Sequence, residues 1–84
     1  MAQIIVTVVD RATGISYDME VPNDLDADKL LDDVTQALIG ADPSFDWDMG
    51  QIRWYSPKLG RYLKSKATLL EEGIWNGDYL YISE

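Results

Sequence analysis

The side chains of this sequence that could take part in chemistry are carboxylates, lysines, hydroxyls and tyrosines. Its 84 residues include no histidine and no cysteine, so the commonest general base and the thiolate nucleophile are both missing. No spacing among the remaining acids, lysines and hydroxyl residues matches a catalytic arrangement. We therefore predict no catalytic residues and no cofactor, and we interpret the protein as a non-enzyme.

Clustered aspartates make residues 42–50 the candidate for a metal site, since carboxylates are preferred ligands of calcium. However, the spacing of the three aspartates does not follow the EF-hand pattern, and no glutamate stands at its closing position. We predict no metal site there. Instead, Phe45 or Trp47 is expected to cover the open end of the core, while the aspartates keep the loop in water.

The formal net charge of −8 is unevenly distributed. Residues 1–50 hold eleven acids and two bases, a balance of −9, whereas residues 51–84 hold four acids and five bases, a balance of +1. The negative electrostatic field of such a chain repels phosphate groups, which argues against nucleic acid as a partner. Two interpretations of the acidity remain open, namely solubility and steering toward a basic partner surface. Likewise, the bases at positions 58, 61, 64 and 66 either protect a sheet edge or dock an acidic groove, including that of a second copy.

Two tyrosines near the end of the sequence are candidates for a binding function. Tyr79 and Tyr81 alternate with aliphatic residues, the period of a β-strand, so that the two rings share one face. The elements expected to position them are four earlier strands, at residues 3–9, 15–21, 51–56 and 61–64, and one helix at residues 27–39. A helical turn with a Thr68–Glu71 capping box and a glycine end at Gly73 leads into the final strand, residues 79–82.

The helix has clear start and stop signals. Asp26 is the expected N-cap, with a hydrophobic staple from Leu25 to Leu30, and Gly40 is the expected end. The predicted buried stripe is formed by apolar residues at helical spacing, which are Leu30, Val34, Ala37 and Leu38, with Ala27 and Leu31 at its margins. Among the tryptophans, Trp54 is expected in the core and Trp75 against the turn before the last strand.

The order of elements is strand, strand, helix, strand, short strand, helical turn, strand, which predicts an α+β fold. Residues 1–84 are expected to form a single domain in which a mixed β-sheet wraps around one α-helix. Placing the last strand in the middle, beside the first, gives the β-grasp (ubiquitin-like) arrangement. The exposed side of that sheet, here called the outer sheet face, is predicted to bind a partner through Ile5, Thr7, Val9, Arg53, Tyr55, Tyr79 and Tyr81.

Two interpretations of the outer sheet face are open. Tyrosine and arginine are enriched at binding hot spots, and an exposed apolar patch of this size on a small domain favours a partner site. Alternatively, aromatic and β-branched residues stabilise an exposed sheet face simply by cross-strand pairing.

The sequence also resembles a known family. The resemblance is carried by Tyr-Asp-Met-Glu-Val-Pro at residues 17–22 and by the pattern Leu…Gly-Ile…Asn-Gly-Asp-Tyr-Leu-Tyr-Ile over residues 69–82. It is similar to the small ubiquitin-like proteins called YukD or EsaB, and to the cytosolic ubiquitin-like domain of EccD membrane proteins. The resemblance implies a cytosolic accessory or regulator of a bacterial type VII (ESX-like) secretion system. Its implied partner is a protein, such as a secretion ATPase or membrane component; a generic ubiquitin-like adaptor is the alternative.

Three further expectations concern how the protein acts. Only Ser83 and Glu84 follow the last strand, without the diglycine tail of conjugating modifiers, so we expect non-covalent binding. No apolar run approaches the roughly 20 residues of a membrane span, and no signal pattern or cysteine is present, which favours a cytoplasmic protein. It is expected to be a monomer or a weak homodimer.

Overall fold

A computed structural model describes residues 3–41 and 50–84, in which the β-strands and the α-helix follow the predicted order. They are β1 (Gln3–Asp10), β2 (Ser16–Pro22), α1 (Ala27–Ala41), β3 (Arg53–Ser56), β4 (Arg61–Tyr62) and β5 (Tyr79–Ser83). The strands form one sheet in the order β2-β1-β5-β3-β4. β5 runs parallel to β1 and antiparallel to β3, and the remaining pairs are antiparallel. The predicted β-grasp arrangement, with the last strand in the middle, is confirmed.

The core lies between the sheet and α1, and strand alternation supplies it. Even-numbered residues of β1 point inward, and β5 contributes Leu80 and Ile82, both fully buried. The helix packs Leu30, Val34 and Leu38 against them. Trp54 of β3 is also buried, and its indole Nε1–H donates a hydrogen bond to the carbonyl oxygen of Ala27 at 3.1 Å. This bond satisfies the one polar atom of a large core side chain and joins the sheet to the start of the helix.

The predicted start of α1 is confirmed by its capping geometry. The Asp26 carboxylate oxygen Oδ1 accepts a hydrogen bond from the backbone N–H of Lys29 at 3.0 Å, as an N-cap residue does. Asp26 and Thr68 also form a β-bridge, and the Ala27 N–H donates to the carbonyl of Ala67. The helix start is therefore attached to the segment that precedes the last strand.

We expect Asp26→Ala to lower the free energy of unfolding by about 1 kcal/mol, because the helix loses its N-cap acceptor. Asp26→Asn is the matched control, since an asparagine side chain can cap the same N–H, and it should stay within about 0.5 kcal/mol of wild type. Urea denaturation followed by circular dichroism measures both. Equal losses in the two variants would contradict the capping role.

Two expectations for α1 are wrong. Gly40 does not end the helix, which continues to Ala41, and Gly40 has no positive φ. Ala37 is exposed, whereas Thr35 is buried. The threonine can be buried because its hydroxyl donates to a backbone carbonyl one turn earlier, Leu31 at 2.7 Å, so that its polar group is satisfied within the helix.

The later strands are shorter than expected. β3 begins at Arg53 rather than at residue 51, although Ile52 before it is buried. β4 spans two residues rather than four, and Leu63 after it still donates its backbone N–H to the Trp54 carbonyl at 2.9 Å. The expectations for Phe45, Trp47 and the acidic loop fall on residues 42–49, which lie outside the described residues.

The approach to β5 follows the predicted signals. Thr68 and Glu71 exchange reciprocal hydrogen bonds of 2.9 and 3.1 Å, which is a capping box, and Gly73 ends the turn with a φ of 77°. Asn76 then ties the next turn to β1, because its side-chain oxygen accepts the Ile5 N–H at 2.8 Å. The adjacent Gly77 N–H donates to the Ile5 carbonyl at 2.9 Å. These bonds fix the register with which β5 enters beside β1.

Candidate functional site

The outer sheet face lies opposite the core, as alternation requires. Tyr79 stands beside Thr7 on β1, and Tyr81 stands between Val9 on β1 and Tyr55 on β3. Ile5 lies one step further along β1, beside the turn before β5. Ile5 and Tyr79 expose 53% and 51% of their surface, respectively. These residues therefore form a contiguous, partly apolar surface across three neighbouring strands.

Arg53 and the tyrosines at one end of this face are in direct contact. The guanidinium carbon of Arg53 lies 3.9 Å from the centre of the Tyr62 ring, within cation–π distance. The Tyr62 ring in turn meets Tyr55 edge-on, with 5.3 Å between ring centres, and Tyr55 lies 6.3 Å from Tyr81. All seven residues predicted for the outer sheet face thus lie on one side of the sheet, and the arginine packs against an aromatic ring.

Two contributors to this face, Arg11 and Tyr62, were missed by the sequence reasoning. The Arg11 guanidinium carbon lies 5.3 Å from the Tyr55 ring centre and 5.6 Å from that of Tyr81. Its position follows from continuing the outward alternation of β1 by one more step. The turn at residues 57–60 could have predicted the position of Tyr62. It pairs Ser56 with Arg61, so the next pair is Tyr55 with Tyr62, and paired residues share one face of the sheet.

Arg11 and Arg53 give this surface a local positive charge on an acidic chain. Neither forms an ion pair with a carboxylate of residues 3–41 or 50–84. A guanidinium that lies over an aromatic ring still has N–H donors at its edge. The arrangement can therefore bind a partner through ring surface and through planar hydrogen-bond donors together. We call Arg11, Arg53, Tyr55, Tyr62 and Tyr81 the arginine–tyrosine cluster.

The basic residues after β3 bond to acids of the same chain. Arg61 donates from Nη1 and Nη2 to the two carboxylate oxygens of Glu72, at 2.9 and 3.1 Å, and the Lys64 N–H adds a third bond. The Arg61 and Lys64 hydrogen bonds lower the pKa of Glu72 from 4.5 to about 2. The interaction with Glu72 also raises the pKa of the Arg61 guanidinium. These contacts brace the edge of the sheet beside the last turn.

A second ion pair holds the turn before β5. Lys58 Nζ donates to the Asp78 carboxylate at 3.1 Å and to the Gly73 carbonyl at 2.8 Å. The same carboxylate accepts the Trp75 N–H at 2.7 Å. Burial raises the pKa of Asp78, but these hydrogen bonds and the lysine charge outweigh it and lower that pKa overall. The Trp75 side chain is 54% exposed, so this tryptophan is a surface residue at the turn, and its packing there stays a prediction.

Other kinds of site have little support in the described part of the chain. Within residues 3–41 and 50–84, no group of three or more acidic, histidine or cysteine side chains is placed to hold a metal ion. No helix in the same ranges is long and apolar enough to cross a membrane. The outer sheet face remains the best-defined candidate site.

Solved structures with the same fold support this topology. The chain is similar to the ubiquitin-like domain of the Mycobacterium tuberculosis type VII secretion system protein EccD1, with a TM-score of 0.78, 19% identity and 100% of both chains covered. Caldiarchaeum subterraneum ubiquitin gives a TM-score of 0.73 at 18% identity, with 96% of this chain and 91% of that chain covered. At such identities these structures establish a ubiquitin-like fold. No curated protein sequence gives a significant match.

A family model adds the more specific finding. The model described as "WXG100 protein secretion system (Wss), protein YukD" matches residues 3–82 of this chain, nearly its whole length. The match includes β1, the helix and the Asn-Gly-Asp turn that leads into β5. The chain therefore belongs to the YukD family of the WXG100 protein secretion system.

Proposed function

We propose that this chain is a non-conjugating, non-enzymatic interaction module that works as a cytosolic accessory or regulator of a bacterial type VII secretion system. Residues 1–84 act as a single ubiquitin-like domain whose outer sheet face binds a protein component of that system. The observation that carries this proposal is the packing of two guanidiniums against three tyrosine rings on an otherwise acidic chain.

The exposed residues of the outer sheet face are of the kinds that dominate binding energy at interfaces. Tyrosine buries a large area with only two rotatable bonds, arginine offers a planar, rigid set of N–H donors, and both account for many hot spots. Here Tyr55 and Tyr62 hold each other and their arginines in place before any partner binds. Pre-ordered side chains lose less entropy on binding, which favours a binding function over simple sheet stabilisation.

Two features support non-covalent action. Ser83 is buried, and the backbone carbonyl of Glu84 accepts a hydrogen bond from the Tyr62 hydroxyl at 2.8 Å. Residues 83 and 84 are thus held against the sheet, and the 84 residues contain no Gly-Gly pair of the kind that conjugation uses. In addition, the commonest general base and the thiolate nucleophile are both missing, since the sequence lacks histidine and cysteine.

Family membership supports the proposed secretion role. The matching family is named for the WXG100 secretion system, and a domain of similar fold belongs to a type VII secretion protein. We propose a secretion ATPase or a membrane component as the partner, with the acidic first half of the chain helping to steer association.

We expect Tyr81→Ala to weaken partner binding about 30-fold, the effect of losing a hot-spot side chain worth roughly 2 kcal/mol. The tagged chain and the variant are expressed in the source bacterium, cross-linked and purified, and the bound proteins are quantified by mass spectrometry. Wild type should enrich secretion-system components that the variant loses.

Gln36→Ala, an exposed change on α1, is the matched control and should retain every partner. Circular dichroism checks that Tyr81→Ala remains folded. Enrichment of partners unrelated to secretion would favour the generic adaptor instead. Equal recovery of secretion components by a folded Tyr81→Ala variant would contradict binding through the outer sheet face.

A further inference from the structure

The two edges of the sheet differ in how they are protected. β4 is two residues long, and its Arg61 is held by Glu72. β2, at the other edge, is seven residues long and pairs continuously with β1. Natural proteins blunt edge strands with lysines, prolines, bulges or short length. From residue 16 to residue 21, β2 has no lysine, proline or bulge, and its charged side chains are Asp18 and Glu20. Within residues 3–41 and 50–84 no strand pairs with its outer side, so it offers an extended edge for strand addition.

The backbone groups that face this free edge can be identified from the ladder. In β1, the Ile5 carbonyl and the Thr7 N–H form hydrogen bonds with the segment that enters β5. Because the backbone groups of successive residues alternate in direction along a strand, the even-numbered residues of β1 direct theirs toward β2. Their partners in β2 are Tyr17, Met19 and Val21. The alternate residues of β2, among them Asp18 and Glu20, therefore direct their N–H and carbonyl groups away from the sheet.

A groove lies beside this edge on the side of the sheet that faces α1. It has a volume of about 190 Å³, and its apolar lining comes from Met19 and Val21 of β2 and from Leu30, Val34 and Ala37 of α1. Met19 is partly exposed, and Ala37 is exposed although it continues the apolar side of the helix. A strand added beside β2 would place every second side chain over this groove, because side chains alternate along a strand.

Charge determines the kind of strand that fits. Asp18 and Glu20 flank the free edge on the outer side, and Asp33 borders the groove on the helix; all three are exposed. Neither β2 nor the groove lining contains a lysine or an arginine. Pairing with β2 of a second copy would bring like charges together across the new ladder, which is destabilising. A basic strand would instead place opposite charges there.

We propose that the free edge of β2 binds an extended segment of a partner protein as an additional antiparallel or parallel strand. The segment alternates apolar side chains, which enter the groove between β2 and α1, with basic side chains, which lie opposite Asp18 and Glu20. Backbone hydrogen bonds supply affinity in this mode, and the groove and the acids supply specificity. This surface is separate from the arginine–tyrosine cluster, which lies on β5, β3 and β4 toward the opposite edge and is completed by Arg11 just after β1.

The test uses a capped heptapeptide that alternates lysine and valine, titrated into the ¹⁵N-labelled chain and followed by NMR. Expected results are chemical-shift changes along β2 and the facing side of α1, and at least tenfold slower hydrogen exchange of the Asp18 and Glu20 amides. A glutamate–valine peptide and a lysine–valine peptide of scrambled order should bind at least tenfold more weakly. Shifts away from β2, unchanged amide exchange, or equal binding of the three peptides would overturn the proposal.

Two substitutions separate the backbone contribution from that of charge. Glu20→Pro removes an edge donor that β1 does not use, and it should weaken peptide binding at least tenfold. Glu20→Gln retains the donor and should weaken binding only a few-fold. Ala37→Gln, which narrows the groove without touching β2 or changing the charge, provides an independent variant and should also weaken binding at least tenfold. Wild-type affinity in folded Glu20→Pro and Ala37→Gln variants would overturn the proposal.

Two further measurements distinguish this surface from others. Tyr81→Ala should leave peptide affinity unchanged, so the outcome here is independent of the outer sheet face. Sedimentation without peptide should show a monomer, whereas a dimer whose β2 amides exchange slowly would overturn the choice of a basic partner over a second copy.

Discussion

Leu80→Ala is expected to lower the free energy of unfolding by about 3 to 5 kcal/mol, the usual loss for truncating a buried leucine. Leu80 is 0% exposed and lies on β5, the strand that pairs with β1 on one side and β3 on the other. The cavity would therefore open where the sheet meets α1. Domains of this size have unfolding free energies of roughly 4 to 13 kcal/mol, so this one change removes a large part of the total.

The neighbouring residue provides the control for this prediction. Tyr79 precedes Leu80 on the same strand but points outward, so Tyr79→Ala should cost only about 1 kcal/mol, from lost cross-strand contact with Thr7. Urea denaturation followed by far-ultraviolet circular dichroism gives both values. Comparable losses in the two variants would contradict the assignment of opposite faces to these residues.

Glu72→Gln is expected to lower the free energy of unfolding by about 2 kcal/mol, because it replaces a charge-assisted pair with weaker bonds and leaves its partners less well satisfied. The Glu72 side chain is only 6% exposed and accepts bonds from Arg61 and from the Lys64 backbone. Asp33→Asn, a matched change at an exposed acid on α1, should have an effect below about 0.5 kcal/mol.

The same pair predicts how stability depends on pH. Because folding lowers the pKa of Glu72 from 4.5 to about 2, its contribution is fully present above pH 4.5 and is lost as the pH falls from 4.5 through 2. Wild type should therefore lose stability more steeply than Glu72→Gln across this window. Urea midpoints at half-unit pH steps measure the difference, and parallel curves would contradict the role assigned to Glu72.

Most of the fold could be predicted because its signals are local and agree with one another. The alternation at Ile4, Val6 and Val8 indicates a strand with one buried face, and the Thr68–Glu71 pair indicates a capped turn. Alternation along β5 also places Tyr79 and Tyr81 on the exposed side before any pairing is known. The outer sheet face was predictable for that reason, although whether it binds a partner remains a prediction.

Two of the errors concern α1, where the preference of a single residue decides neither helix length nor burial. Gly40 is a strong stop signal, yet the helix continues through it, which costs only about 1 kcal/mol relative to alanine. Thr35 is polar and was left out of the predicted core, but its hydroxyl bonds within the helix and permits burial. The alternation of β1 directs Arg11 outward, but its contact with two rings depends on β5 lying beside β1 and β3 beside β5, which no local pattern contains.

The parallel pairing of β1 with β5 has a consequence for biosynthesis. Thr7 and Tyr79 are partners in the sheet although about 70 residues separate them along the chain. A ribosome therefore releases the first hairpin long before the strand that completes the other side of β1. An isolated two-stranded hairpin is marginally stable at best, so the nascent chain cannot hold its native form until residues 79–83 have emerged. Assembly of the complete sheet is therefore a late step, which waits for the last of its strands.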